Sequence, residues 1–241
     1  MINNIIDLHT HSVLSKHAYS SVSENIDEAI KKKMKVLGIS EHQPDGYGVG
    51  VHRFAIANLS AIPSKIGDLN ILKGIELNIL DDGQLDLSEV SLNKIDYAIV
   101  SMHRYARPVN ADVEANTTAY INALKHDFVK IVGHMDRDGY PCDYEEVIKA
   151  CAIERKIIEL NNSSFRWANS EAIIKRDLVI LNCCKKYNVP VIINSDAHIR
   201  YDVGNFANAW KVVEKANFPH TLIVNCNTAL IKEYFNIDID L

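Results

Sequence analysis

The strongest constraint on the fold is a repeat of organisation rather than of residues. Seven times along the chain, a short run rich in Ile and Val gives way to a polar turn and then to a stretch with helical periodicity. The runs lie at 5–9, 36–42, 71–79, 95–103, 128–134, 156–161 and 189–195. Each is apolar on both faces, as a strand covered by helices must be. Ser21 and Glu24 are spaced as a capping box ahead of Ile26, Ile30, Met34 and Leu37, which recur at helical intervals. Asp143 and Glu146 open a second helix after Pro141, and a longer one is expected over 170–187 with Ile173, Ile174, Leu178 and Leu181 facing inward. Near the end, 221–225 reads as a short strand and Thr228 as the cap of a last helix running to Tyr234. Strict strand–helix alternation requires crossover connections and hence a parallel sheet. No linker interrupts the pattern, so residues 1–241 are expected to form one α/β domain closed into a barrel of about seven strands. An open doubly wound sheet is the alternative, but neither Gly-x-Gly-x-x-Gly nor Gly-x-x-x-x-Gly-Lys occurs to give it a nucleotide site.

Composition excludes more than it selects. A net charge of −5 gives no electrostatic basis for tight nucleic-acid binding. Five cysteines without a Cys-x-x-Cys pair argue against a disulfide framework and against a cysteine zinc site. With no signal-like N-terminus and no apolar run of membrane length, the expectation is a cytoplasmic protein with reduced thiols and no membrane association.

Chemistry enters at the ends of the strands. The chain holds ten histidines, and they dominate these positions. Strand one ends in Asp7-Leu-His9-Thr-His11 and strand two in Glu41-His42. Strand three carries Glu76, strands four and five end at His103 and His134, and the last runs into Asp196-Ala-His198. In parallel barrels that rim is the active-site face. Residues at i and i+2 of an extended chain point the same way, so His9 and His11 can share an ion, and Asp196 and His198 share a face by the same rule. Placement alone leaves His42 open to being a core histidine and His17 to being an exposed loop residue. His52, His126 and His220 read as ordinary surface or structural residues.

In this order, several marks resemble the PHP (polymerase and histidinol phosphatase) family, in its small single-domain phosphatase branch. They are Asp7-Leu-His9-Thr-His11, His17-Ala-Tyr-Ser-Ser, Ser-Glu-His42, Gly74-Ile-Glu76, Met-His103, Gly-His134, Glu159-Leu-Asn-Asn-Ser-Ser164 and Ser195-Asp-Ala-His198. The resemblance implies a distorted (β/α)7 TIM-like barrel, a trinuclear metal site and phosphoesterase activity. It also implies a ligand set. His9, His11, Glu76 and Asp196 would hold one ion, Glu76 with His103 and His134 a second, and His17, His42 and His198 a third. Three features depart from the family pattern: glutamate before His42, the segment Met-Asp-Arg-Asp-Gly-Tyr-Pro after His134, and Arg104 after His103.

A nitrogen-rich set with carboxylates suits Zn²⁺ first, with Mn²⁺ or Fe²⁺ as alternatives, better than Mg²⁺ or Ca²⁺. The expected reaction is hydrolysis of a small-molecule phosphate monoester by a metal-activated hydroxide. Asp196 is the candidate to position the nucleophile or take its proton, with a purely ligating role as the alternative. Arg104 and Arg166 are the candidate phosphate-binding cations. Asn161 and Ser163 share a face and could meet substrate or ligand-orienting groups; Asp7 could orient a ligand or be structural. The expected partner is thus a small phosphorylated substrate. The rivals are a histidinol-phosphate phosphatase, a binuclear barrel hydrolase of amidohydrolase or DNase type, and a non-catalytic metal-binding barrel.

Overall fold

The computed structural model describes residues 5–43, 50–86, 92–109, 112–167 and 170–239. Its strands are β1 (Ile6–Asp7), β2 (Val36–His42), β3 (Lys65–Ile66), β4 (Leu69–Asn78), β5 (Tyr97–Ser101), β6 (Val129–Val132), β7 (Ile157–Asn161) and β8 (Val191–Asn194). Its α-helices are α1 (Val22–Lys31), α2 (Arg53–Ala57), α3 (Val113–Ala123), α4 (Tyr144–Glu154), α5 (Ser164–Trp167), α6 (Ser170–Tyr187), α7 (Ala207–Lys215) and α8 (Thr228–Phe235). The sheet runs β1-β2-β4-β5-β6-β7-β8, parallel throughout, so chain order is spatial order. The short β3 folds back antiparallel on β4 through Gly67, whose φ of +56° suits a residue without Cβ. No helix among the described residues is long and apolar enough to cross a membrane, and all five cysteines are free.

The sheet is nearly closed into a barrel. Between β8 and β1 backbone pairing shrinks to a parallel bridge at Thr10 and Ala197, where the His11 N–H donates to the Ala197 carbonyl at 2.8 Å. Side chains do the remaining stitching. The Leu8 N–H donates to Asn194 Oδ1 at 2.8 Å, and the Ser195 N–H and hydroxyl donate to the Asp7 carboxylate at 3.1 and 2.5 Å. Asn225 donates to the carbonyls of Ile6 and Ile193 at 2.9 and 2.8 Å, and accepts from the Ile193 N–H at 2.7 Å. This corrects the expectation of a strand over 221–225. The segment forms two 3-10 turns, His220–Leu222 and Val224–Cys226, with a single bridge from Ile223 to Val191. The Asn225 amide satisfies groups that a strand ladder would have used.

Two smaller expectations also change. Ile30 is 44% exposed, because α1 ends at Lys31 and Lys33 turns the chain with φ 57° before it reaches the buried Met34. The last helix is capped by Asn227, whose Oδ1 accepts from the N–H groups of Ala229 and Leu230; Thr228 is its first residue.

Strand parity explains how the barrel carries its site. Along β4 the series Leu72, Gly74, Glu76 lies on one face; β5 offers Tyr97, Ile99, Ser101, β7 offers Ile157, Glu159, Asn161, and β8 offers Ile192, Asn194. The early members pack together as an apolar plug with Leu8, Ile131 and Ile231, while the later members are polar and buried. Tyr97 fills the plug because glycine stands opposite it twice: a Cβ at Gly38 would lie 2.0 Å from its hydroxyl, and one at Gly74 2.3 Å from its ring. Its hydroxyl donates to the Leu8 carbonyl at 2.5 Å, and Phe235 of α8 meets its ring edge-on. The larger core lies between the sheet and the surrounding helices.

Candidate active site

The polar ends of the strands converge on Glu76, which is 1% exposed. Its Oε1 is 2.9 Å from His134 Nε2 and 3.4 Å from His103 Nε2. Its Oε2 is 3.1 Å from His42 Nδ1, 3.4 Å from His9 Nε2 and 3.5 Å from His11 Nε2. On the far side of His9 and His11, Asp196 Oδ1 lies 3.7 and 3.4 Å from the same two Nε2 atoms. His198 and His17 form the outer edge, with their Nε2 atoms 2.8 Å apart. His17 sits against the His42 ring at 5.0 Å between centroids. Three sets of side chains bring potential ligand atoms within 4.8 Å of one another: His9, His11 and Asp196; Glu76, His103 and His134; and His11, His42 and His198. All nine residues expected from the sequence therefore share one rim. The grouping differs at its edge, where His11 joins the set of His42 and His198 and His17 stands beside it.

Four of the histidines are aimed by what holds their other nitrogen. His9 Nδ1 donates to Glu159 Oε1 at 2.7 Å and His103 Nδ1 to Asn78 Oδ1 at 2.7 Å. His17 Nδ1 donates to the Ser15 carbonyl at 2.6 Å, and His198 Nδ1 to the Asp196 carbonyl at 3.0 Å. A proton fixed on Nδ1 leaves the Nε2 lone pair facing inward, as metal ligation by neutral imidazole requires. The His9 and His11 Nε2 atoms are buried and hydrogen-bonded to nothing in the protein. A buried polar atom without a partner is costly and rare, and two of them aimed at the same carboxylates fit a site built around cations.

The electrostatics agree. Burial works against the charged form of Glu76, yet His103, His9 and His42 hold its carboxyl well below the usual range. Asp196 is likewise held low against burial by His9, His11 and Arg137. Burial pushes His11 and His103 well below the ordinary histidine value, the direction that favours a ligating imidazole. For His9, burial is outweighed by Glu159, Glu76 and Asp196, which hold it protonated without a metal. Two of these residues sit in left-handed backbone, His134 at φ 25° and Asp196 at φ 50°, a concentration of strain common at functional sites.

Several contributors carry no spacing signature. Glu159 holds His9, accepts from the His134 N–H at 2.8 Å and from the amides of Asn161 and Asn194 at 3.0 and 2.8 Å. Glu41 accepts from the Ser12 N–H and from the Ser15 hydroxyl, and that hydroxyl lies 3.4 Å from His11 Nδ1. Asp7 serves the barrel seam. Asn161 braces Glu159 and Asp196, whereas Ser163 lines a pocket of about 400 Å³ above the cluster. Arg166 lines the pocket too, paired with Asp202. Arg104 is exposed, with its Nε near Gly139, and does not line it. The cation next to the cluster is instead Arg137, which donates to Asp196 Oδ2 at 2.6 Å. His52, His126 and His220 lie apart from the cluster, beside Phe54, Phe128 and Trp210.

A nearly closed parallel barrel with histidines and carboxylates gathered at the carboxyl ends of its strands defines an α/β barrel with a metal-type site. The comparisons narrow that class. The PHP domain model matches residues 7–163. A probable phosphatase of Caldanaerobacter subterraneus is 41% identical over 233 residues, covering 95% of this chain and 90% of its own. Another, of Thermoanaerobacter sp. (strain X514), is 39% identical over 231 residues, covering 95% and 94%. Among solved structures, a histidinol phosphate phosphatase from Lactococcus lactis, complexed with zinc, L-histidinol and phosphate, superposes with a TM-score of 0.61. It is 19% identical, over 90% of this chain and 95% of that one, a likeness of fold. The chain belongs to the PHP family and is a phosphoesterase.

Proposed function

We propose that the protein is a phosphatase that hydrolyses phosphate monoesters of small molecules at a site for three divalent metal ions. The observation that carries this reading is the pair of buried, unpartnered Nε2 atoms of His9 and His11 between Glu76 and Asp196. His9, His11, Glu76 and Asp196 would hold one ion, Glu76, His103 and His134 a second, and His17, His42 and His198 the third, with His11 near enough to be shared. The imidazole-rich donor set favours Zn²⁺, with Mn²⁺ or Fe²⁺ as alternatives; the Lactococcus lactis structure contains zinc. The metals, when bound, supply Lewis acidity to the phosphoryl group and to water.

The chain's own groups do the rest. Arg137, fixed by Asp196, presents a guanidinium to the phosphate. Asp196 combines ligation with that hold, and is the carboxylate placed to orient the attacking water or to take its proton. Glu159 and Asn78 keep the His9 and His103 rings in register. A histidinol-phosphate substrate is the second reading, favoured by the fold likeness alone.

The test is metal analysis of protein purified without chelators, alongside p-nitrophenyl phosphate hydrolysis by wild type and His103→Ala. About three metal ions per chain, and a variant at least about 100-fold slower with its fold intact, support the reading. A well-metallated His103→Ala variant with near-normal turnover would falsify it.

A further inference from the structure

We propose that the pocket above the cluster selects phosphomonoesters whose leaving alcohol carries a second anionic group, a carboxylate or another phosphate, and that Arg166 reads that group. This inference rests on the phosphatase reading and specifies its substrate class. Two guanidiniums line the pocket of about 400 Å³, and they are anchored differently. Arg137 is tied to the floor through Asp196, beside the residues assigned to the metals, where the phosphoryl group belongs. Arg166 is tied to Asp202, which is not part of the lining. Asp196 is the one carboxylate in the pocket wall among the described residues, and its oxygens face histidines and Arg137. A leaving group therefore meets a cation and no free anion.

The volume admits a metabolite of several carbons rather than inorganic phosphate alone. Phosphate bound at the floor uses Arg137 and leaves Arg166, whose Nη2 is held by Asp202, to offer its remaining N–H groups to a second anion. An alcohol with an ammonium group would face that guanidinium with like charge, so the same wall disfavours aminated esters such as histidinol phosphate. Ile199 and Tyr19 supply the apolar part of the lining against the carbon chain.

The experiment compares kcat/KM of the metal-loaded enzyme for glycerol phosphate, phosphoglycerate, a sugar bisphosphate and phosphoethanolamine, in wild type, Arg166→Gln and Arg166→Lys. The expected wild-type order puts at least one of the two anionic leaving groups about tenfold or more above glycerol phosphate, with phosphoethanolamine last. Which of the two leads identifies the second group as carboxylate or phosphate. Arg166→Gln should collapse that ratio mainly through KM, and Arg166→Lys should restore part of it. A wild type indifferent to leaving-group charge, or a ratio that survives Arg166→Gln, overturns the inference while leaving the phosphatase reading intact. If no ester is hydrolysed, the phosphatase reading fails, and calorimetry with glycerate, glycerol phosphate and glycerol as ligands decides the inference separately. Tighter binding of the anionic pair that is lost in Arg166→Gln supports it, and equal binding of all three overturns it.

Discussion

Glu159 illustrates how much of the site depends on groups that touch no substrate. Its carboxylate holds one proposed ligand by the ring and a second by the backbone N–H, and it is fully buried. Glu159→Gln keeps the shape but weakens the hold on His9, so metal affinity should fall about 10- to 100-fold, measurable by competition with a chelating dye. A second prediction concerns Asp86, whose carboxylate accepts from the backbone and side-chain N–H groups of Asn78, the residue that holds His103. Burial raises Asp86 to about 6 from an ordinary 3.8, against those hydrogen bonds. The folded chain then binds this proton more tightly than the unfolded one. Its contribution to stability is complete below about pH 4 and is lost as pH rises through 6. Denaturant titrations of the metal-free protein should show that decline, and Asp86→Asn should flatten it. At this scale the histidines were legible because the type is scarce and strand ends are few. Glu159 was readable in principle, as a charge in the middle of the apolar run Ile-Ile-Glu-Leu-Asn. Arg137 was not, because nothing local says which arginine of a loop turns toward a rim.

At the scale of elements, the alternation of apolar runs and helical stretches fixed the parallel sheet and its order, since each crossover has only one sensible place to go. What could not be read was any contact made by a side chain acting as backbone. The segment around Asn225 looked like a strand because Ile223 and Val224 are apolar and β-branched, but they are buried at 3-10 turns tied to backbone groups of the sheet by the Asn225 amide. Asn225→Ala leaves those backbone groups unsatisfied and should cost about 2–4 kcal/mol in denaturant unfolding. The glycines opposite Tyr97 make a complementary case. Gly74→Ala drives a methyl into the tyrosine ring and should destabilise by about 1–3 kcal/mol, a cost that should shrink when measured in a Tyr97→Ala background.

Across the whole molecule, the apolar plug supplies a rigid base and the polar rim carries the chemistry, a division that strand parity alone predicts once the strands are placed. Without metal the rim leaves the buried Nε2 atoms of His9 and His11 with no hydrogen-bond partner. Stripping the protein with a chelator should therefore lower its thermal midpoint by about 5–10 °C, and returning zinc should restore it. An unchanged midpoint in calorimetry would mean that the cluster holds no tightly bound ion.

The seam between the first and last strands has a consequence for how the protein comes into being. His9 and His11 lie far ahead of Asp196, His198 and Asn225 in the chain, yet the first strand is stitched to the last. During synthesis these two histidines emerge well before the partners they face in the folded rim. In the proposed metal site, ion capture by His9, His11 and Asp196 would be a closing event, a clasp between the first strand and the last, which a chain still lacking the last strand could not fasten.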